Sequence, residues 1–359
     1  MLVINQHWNT GTGTVFLSYE TVYESSISIG ILAQARYFYL MKQFISHRSA
    51  LEYWRRCRKL PKSSHDRRCR DALPNGPFKI EPLELVGFAL PIHIMIGNPN
   101  ARRNSKKVKQ HVFSGETPVG CFMNIGNGLM MSSPEFCFLQ MADNITLARL
   151  IELGYELCGK YSIPIAEDSD VPERGFHNRT PLTSTNRIRA FLDSMHGFNG
   201  FKKATHALSY MIDGSASPME TKLTMFLTLH YMLGGFGFNL PELNKRIILT
   251  KTARKYFRKN YYVCDLFWPD KNVAVEYDSD QQHTGSDRIA NDSKRRNVLE
   301  SSGIRVITVT KQQLFSSVEL ERAARTIAKH LNKRLFPTKS NFYTAHQELR
   351  EQLLEDFYN

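Results

Sequence analysis

The amino-acid sequence predicts an α/β (α+β) protein, in which a helix-flanked sheet towards the C-terminus is preceded by a smaller α+β domain. The chain has 359 residues, which is enough for two domains with separate cores. Hydrophobic residues make up 42% of it and aromatic residues 11%, as in globular proteins. From Ser217 onward, helical patterns alternate with short strand-like runs, in the order helix, three strands, helix, strand, helix.

The N-terminal part of the chain is expected to contain an extension and a basic domain. Residues 1–40, rich in Thr, Gly and Ser and irregularly apolar, predict an extension, with Met41 as an alternative start. Residues 41–160 mix strand-like and helical segments and predict the α+β domain. Within it, Ser133 and Pro134 are typical of a helix N-cap and first helical residue.

Four further segments follow from composition and periodicity. Residues 161–186, rich in Pro, Asp, Glu, Ser and Thr, predict a linker. Residues 187–216 predict a helical connector. A domain is expected at 217–337, and spaced leucines predict a C-terminal helix at 338–359.

The charge of the chain favours a polyanionic partner. The formal net charge is +13 and the isoelectric point is about 9.4, which points to DNA or RNA, although a basic solvated face is the plain alternative. Two basic stretches supply the candidate phosphate-binding residues. These are Arg102, Arg103, Lys106, Lys107, Arg254, Lys255 and Arg258.

Several other classes of protein and site are not indicated. The six cysteines form no Cys-x-x-Cys pair and are typical of a reduced, cytoplasmic protein. Cys57, His65 and Cys69 have no fourth ligand at a suitable spacing, so no zinc site is predicted there. No apolar run reaches the roughly 18–20 residues of a membrane span, so no membrane partner is expected. Glycine-rich phosphate-binding loops are also absent from the sequence.

Carboxylates inside two strand-like runs carry the strongest chemical signal. The stretch 262–278 predicts a β-hairpin, with Asp265 in its first strand and Glu276 and Asp278 in its second. Alternation places Glu276 and Asp278 on one face, and Asp265 can lie opposite if the hairpin register allows. Buried carboxylates are costly unless a cation compensates them. Oxygen ligands therefore predict a Mg²⁺ or Mn²⁺ site.

These residues carry a family resemblance over about residues 217–335. The pattern resembles one branch of the PD-(D/E)xK nuclease superfamily, the uncharacterised domain related to very-short-patch-repair endonucleases. The residues that carry it are Ser217-x-x-Glu220, Asp265, Glu276-x-Asp278, His283, Asp292-x-x-Arg295, Leu299, Gly303 and the run 304–309. The resemblance implies a restriction-endonuclease-like core with a mixed sheet flanked by helices.

The resemblance also implies roles for individual residues. Asp265 and Glu276, with Glu220 close by, would bind the metal for phosphodiester hydrolysis, and Arg295 would stabilise phosphate charge. Asp278 stands where the superfamily usually has lysine. The general base is therefore open between His283, Lys294 and a water held by Asp278. For Glu220 alone, a helix-capping role is the simpler reading.

A second resemblance concerns residues 85–158, which are similar to the C-terminal domain of AbiEi-type antitoxins from abortive-infection systems. The residues that carry it are 91–95 with His93, Arg102-Arg103, His111 and 132–139. Two functions are therefore expected. The first is a Mg²⁺-dependent DNA endonuclease in mobile-element defence or repair. The second is a catalytically inactive nucleic-acid-binding or antitoxin-like protein with a toxin or defence-system partner; hydrolysis of another anionic substrate stays open.

Overall fold

The protein is a mixed α+β structure, as the sequence predicts. In a computed structural model, the described residues are 42–59, 73–74, 88–103, 105–126, 128–165, 171–249, 254, 260–279, 297, 299–300, 302–335 and 340–354. The chain divides into two compact units, residues 1–42 and residues 43–359. All the elements below belong to the second unit, and the predicted boundaries at 160, 186 and 216 fall inside it.

A five-stranded mixed sheet contains the predicted strands of the first domain. Its strands are β1 (Gln43–Ile45), β2 (Ile92–Ile96), β3 (Val108–Val112), β4 (Phe122–Gly126) and β5 (Leu129–Ser132), in the order β3-β2-β1-β5-β4. The β1 strand is antiparallel to β2 and parallel to β5, and β2 is parallel to β3. Fully buried apolar residues along β1 and β2 attach the sheet to the main core.

Helices α1 (His47–Arg56) and α2 (Pro134–Ala142) pack against this sheet, and α3 (Leu147–Cys158) packs against α2. The start of α2 confirms its predicted cap. The Ser133 hydroxyl accepts a hydrogen bond from the Phe136 amide, and Pro134 is the first residue of α2. Since an uncapped helix start leaves amide groups unpaired, this serine defines where α2 begins.

A buried ion pair joins α1 to α3. Glu156 is 1% exposed and accepts two hydrogen bonds from the Arg55 guanidinium, with a closest distance of 2.8 Å. Its other contact is the Ile163 amide, at 3.1 Å. Arg179 lies beside it and donates to the carbonyl oxygens of Trp54 and Glu156. The Glu156 carboxylate is therefore fully matched by hydrogen bonds, as burial requires, whereas the Arg179 Nε atom is buried without a hydrogen-bond partner among the described residues.

The middle of the chain is more structured than its composition suggests. Residues 161–186, predicted as a linker, contain strands β6 (Tyr161–Ser162) and β7 (His177–Asn178), and the Tyr161 side chain is fully buried. The predicted connector is not one helix. Two short helices, α4 (Thr185–Leu192) and α5 (Phe201–Leu208), are separated by a turn with left-handed glycines at 197 and 200.

A second mixed sheet lies in the predicted C-terminal domain. Its strands are β8 (Glu242–Ile248), β9 (Tyr261–Trp268), β10 (Val273–Asp278) and β11 (Arg305–Thr310), in the order β11-β10-β9-β8. The first three form an antiparallel meander, and β11 is parallel to β10. Helix α6 (Pro218–Thr228) packs against β9 and β10. The predicted hairpin and the predicted final strand are thus confirmed as elements, and the structure adds the parallel pairing of that strand.

The sequence predicts that the helix after Ser217 has Met232 on its core face and ends at Gly234-Gly235, and the end of α6 differs from this prediction. The helix stops at Thr228, not at the Gly234-Gly235 pair, because the chain turns back and residues 236–238 donate to carbonyl groups of its last turn. Met232, predicted to lie on the core face, is 55% exposed in a 3₁₀ turn. The returning backbone therefore satisfies the helix end in place of a longer helix.

After β11, the described residues form the helices α7 (Lys311–Phe315), α8 (Ser317–Leu331) and α9 (Ser340–Leu354). The α9 helix matches the predicted C-terminal helix within its described range. It contacts the turn after α6, where the His346 Nδ1 atom lies 2.7 Å from the Gly234 carbonyl oxygen. The His346 Nε2 atom is buried without a hydrogen-bond partner among the described residues. No described helix combines the length and apolarity needed to cross a membrane.

Candidate functional site

The hairpin β9–β10 opens at Asp265. The paired residues run from Val273↔Trp268 to Val275↔Leu266. One step further, the Asp265 Oδ2 atom accepts a hydrogen bond from the backbone amide of Tyr277, at 2.9 Å. A side-chain carboxylate thus takes the place that a strand carbonyl would occupy in a continuous ladder. This hydrogen bond puts the Asp265 carboxylate beside the peptide that joins Glu276 to Tyr277.

The two acidic residues of β10 lie on the face that the sequence predicts. Val273, Val275 and Tyr277 contact the main core, whereas Ala274 belongs to a second apolar cluster. Glu276 and Asp278 share the face of Ala274 and are both half-buried. Burial, and then the negative charge of Asp278, raise the pKa of Tyr277 to about 12.

Glu220 lies in the first turn of α6 and acts there as a capping residue. Its amide donates to the Ser217 hydroxyl, and its carboxylate accepts from the Ser217 hydroxyl and the Ala216 amide. The Asn244 side-chain amide of β8 donates to the same carboxylate at 2.7 Å. Both carboxylate oxygens therefore have hydrogen-bond donors, which confirms the capping interpretation.

The predicted carboxylates do not form a compact group of three. Among the described residues, the only set of three or more His, Cys, Asp or Glu whose ligand atoms all lie within 4.8 Å of one another consists of histidines. The hydrogen bond from the Tyr277 amide places the Asp265 carboxylate beside the Glu276–Tyr277 peptide, whereas the Glu220 carboxylate is bound by Asn244 of β8. His283, Lys294 and Arg295 lie outside the described residues.

The predicted phosphate-binding residues occupy two places. Arg102, Arg103, Lys106 and Lys107 are exposed in the connection between β2 and β3. The Arg103 guanidinium donates to the backbone oxygens of residues 100 and 102, so part of its hydrogen-bonding capacity is used locally. In the second stretch, Arg254 is exposed and donates to the Leu249 carbonyl. Lys255 and Arg258 lie outside the described residues.

The compact group is His47, His93 and His111, which the sequence reasoning did not assign to a site. The residues come from the first turn of α1, from β2 and from β3, so no short-range spacing links them. Their proximity depends on the parallel pairing of β2 with β3, which cannot be read from the sequence of either strand. The available sequence signal for this site was one histidine in each of two neighbouring strand-like runs, namely His93 and His111.

Comparison with known proteins identifies no relative. The chain matches no family model, no curated protein and no solved structure.

Proposed function

We propose that this protein is a Mg²⁺-dependent endonuclease that hydrolyses DNA phosphodiesters, in mobile-element defence or repair. The observation that carries the proposal is the Asp265 carboxylate at the opening of the β9–β10 hairpin, next to Glu276. Strand-embedded carboxylates have few structural uses, because their burial costs free energy that a cation can offset. A paired Asp and Glu on adjacent strands is the arrangement that the PD-(D/E)xK resemblance implies.

The donor set fits a hard divalent cation. Asp265 and Glu276 offer carboxylate oxygens, which suit Mg²⁺ or Mn²⁺ and not a soft metal. Glu220 could contribute only by exchanging a capping hydrogen bond for a metal contact. When bound, Mg²⁺ would polarise the phosphate and lower the pKa of a water molecule.

The protein's own groups have distinct tasks in this proposal. The Tyr277 amide holds one Asp265 oxygen in place, so the carboxylate is oriented before any ligand binds. Asp278 follows on the same face of β10 and is suited to orient a water molecule. The net charge of +13 and the exposed residues Arg102, Lys106 and Lys107 favour contact with a phosphate backbone.

As part of this proposal, we place the protein in the cytoplasm. The five cysteines in the described part of the chain, Cys57, Cys121, Cys137, Cys158 and Cys264, form no disulfide with one another. Cysteines outside disulfides are typical of a reducing compartment, where disulfides rarely persist.

A second candidate function is a non-catalytic nucleic-acid-binding or antitoxin-like protein, with a toxin or defence-system partner. Two observations favour it. Asp278 takes the position of the superfamily's usual lysine, and both Glu220 oxygens are already hydrogen-bonded. Such a protein would keep the sheet and the basic surface but would not cleave its ligand.

A plasmid-nicking assay separates the two functions. The tag-free protein is incubated with supercoiled plasmid, with Mg²⁺, Mn²⁺ or chelator. Asp265→Asn and Glu276→Gln should each reduce the nicking rate by at least about 100-fold, the scale expected when a metal ligand is lost. Asp270→Asn is the matched control, since Asp270 is an exposed carboxylate in the turn of the same hairpin.

Each outcome decides between the candidates. Metal-dependent nicking that survives Asp270→Asn and is lost in the two site variants supports the endonuclease. Undiminished nicking by Glu276→Gln refutes the assignment of the site. Salt-sensitive DNA binding without cleavage in any metal supports the non-catalytic protein.

A further inference from the structure

His47, His93 and His111 converge on one face of the first sheet. The parallel register pairs His93 with Lys109 and Met95 with His111, so the two strand histidines are diagonal neighbours. His47 begins α1 and stacks on His111, with ring centroids 3.5 Å apart. All three side chains are half-buried, so their ring nitrogens are not enclosed in the core.

Hydrogen bonds hold His47 and His93 in place, and the pairing of β3 with β2 places His111. The Ser46 amide donates to the His93 carbonyl, and the His93 amide donates to the Ser49 hydroxyl. On the other side, the His47 amide donates to the Gln140 side chain of α2, at 3.0 Å. The turn before α1 is therefore attached both to β2 and to α2. This arrangement fixes the histidine backbones independently of any ligand.

The ring nitrogens have the spacing of ligands around one metal ion. One nitrogen from each ring lies within 4.8 Å of the other two. The His111 Nε2 and His93 Nδ1 atoms are 3.1 Å apart, close to the separation of neighbouring ligands about 2.0–2.1 Å from a tetrahedral ion. The His47 Nδ1 atom is 3.0 Å from the Ser46 hydroxyl, which leaves its Nε2 atom as the candidate ligand.

Partial burial disfavours the charged form of all three imidazoles. Burial, and then the neighbouring rings of His111 and His93, lower the pKa of His47 to about 2. Burial, with a contribution from the positive charge of Lys109, lowers the pKa of His93 and of His111 to about 4. The His111 Nε2 and His93 Nδ1 atoms share a hydrogen bond, so the ring that donates in it has to change tautomer when a metal binds.

We propose that His47, His93 and His111 bind a borderline transition-metal ion, with Zn²⁺ as the best chemical match. Imidazole nitrogens suit Zn²⁺, whereas Mg²⁺ prefers oxygen ligands, so this site is chemically distinct from the pair Asp265 and Glu276. Three protein ligands leave a fourth tetrahedral position for a water molecule or an anion. The lone pair of an imidazole nitrogen lies in the plane of its ring, so two rings stacked face to face cannot both direct a lone pair at one ion. One of the stacked rings, His47 or His111, therefore rotates about its side-chain torsions when the metal binds.

The charges around the site favour an anion at that fourth position. Lys109, Arg48 and Arg102 lie close enough to act electrostatically on the histidine rings. Their positive charge opposes the metal ion itself and attracts a negative fourth ligand. The affinity of the site should therefore be moderate without such an anion.

The proposal is tested by titrating the tag-free protein with Zn²⁺ in a calorimeter and with Co²⁺ in a spectrophotometer. One equivalent is expected to bind, with the visible ligand-field bands of tetrahedral Co²⁺. His93→Gln and His111→Gln should each weaken the site by more than about tenfold. The matched control is His206→Gln, which changes an exposed histidine on α5 and should leave the affinity unchanged. Excess Mg²⁺ should not displace Zn²⁺.

X-ray absorption spectroscopy of the Zn²⁺-loaded wild-type protein keeps the proposal testable if a variant fails to fold. Three imidazole ligands at about 2.0 Å would support it. Absence of stoichiometric binding, a coordination shell dominated by sulfur or oxygen, or unchanged affinity in folded His93→Gln protein would overturn it.

Discussion

Substituting Gly234 by alanine should destabilise the protein by about 2–5 kcal/mol. Gly234 has a φ of +83°, a conformation that costs an L-residue roughly 1–2 kcal/mol. A Cβ atom there would also lie 2.3 Å from the carbonyl oxygen of Ala345 and 2.8 Å from the Cα atom of His346. Both are backbone atoms of α9, so the whole helix would have to move. Overpacking of this kind typically costs a further 1–3 kcal/mol.

Gly237→Ala is the control for the conformational part of this cost. Gly237 has a φ of +73°, but a Cβ atom there would meet no described atom within 4 Å. Its substitution should cost about 1 kcal/mol. Urea unfolding followed by tryptophan fluorescence gives both values as shifts of the midpoint at an unchanged slope. If the two variants agreed within about 0.5 kcal/mol, the close approach of α9 would not contribute to stability.

Three further predictions concern charges. Glu156→Gln should cost about 2 kcal/mol in urea unfolding, because it removes the buried counter-charge of Arg55, whose side chain is 25% exposed and partly solvated. Glu300→Gln, in an exposed ion pair, should cost under about 0.5 kcal/mol, and equal costs would contradict this. Burial lowers the pKa of His346, so its contribution to stability is complete above the unfolded pKa of about 6.5 and is lost as the pH falls below it. His346→Gln should flatten that fall between pH 7.5 and pH 5, measured as the free energy of unfolding, and an unchanged slope would refute it. Lys109→Gln should tighten Zn²⁺ binding by about twofold to fivefold in calorimetry, since it removes a nearby positive charge; weaker binding would contradict the electrostatic reasoning.

Local features of the fold could be predicted from the sequence. The caps at Ser133 and Ser217 and the hairpin between Asp265 and Glu276 follow from side-chain chemistry and period-two alternation within a few residues. The alternation along β10 is confirmed because its two faces contact two separate apolar clusters. Short-range patterns are sufficient wherever the partner of a residue lies in the same element or in the next one.

Features that depend on distant partners could not be predicted. The end of α6 is determined by the returning segment 236–238, and Met232 is exposed for that reason. The Glu220 carboxylate on helix α6 accepts a hydrogen bond from Asn244 of strand β8, and no sequence pattern around residue 220 indicates this contact. The histidine group requires β1, β2, β3 and α1 to be assembled. Such contacts are set by tertiary structure, which overrides local propensity.

The position of β1 in the middle of its sheet has a consequence for the order in which the chain can assemble. Gln43 of β1 pairs with Leu129 of β5. One edge of β1, the first strand of the sheet to be synthesised, therefore stays unpaired until β5, the last strand in the chain order, has been made. During synthesis, apolar residues such as Phe44 would be made long before their neighbours emerge. Non-local pairing of this kind slows folding and leaves strand edges exposed to other chains. We therefore expect chaperones to bind the nascent chain mainly before β5 has been synthesised.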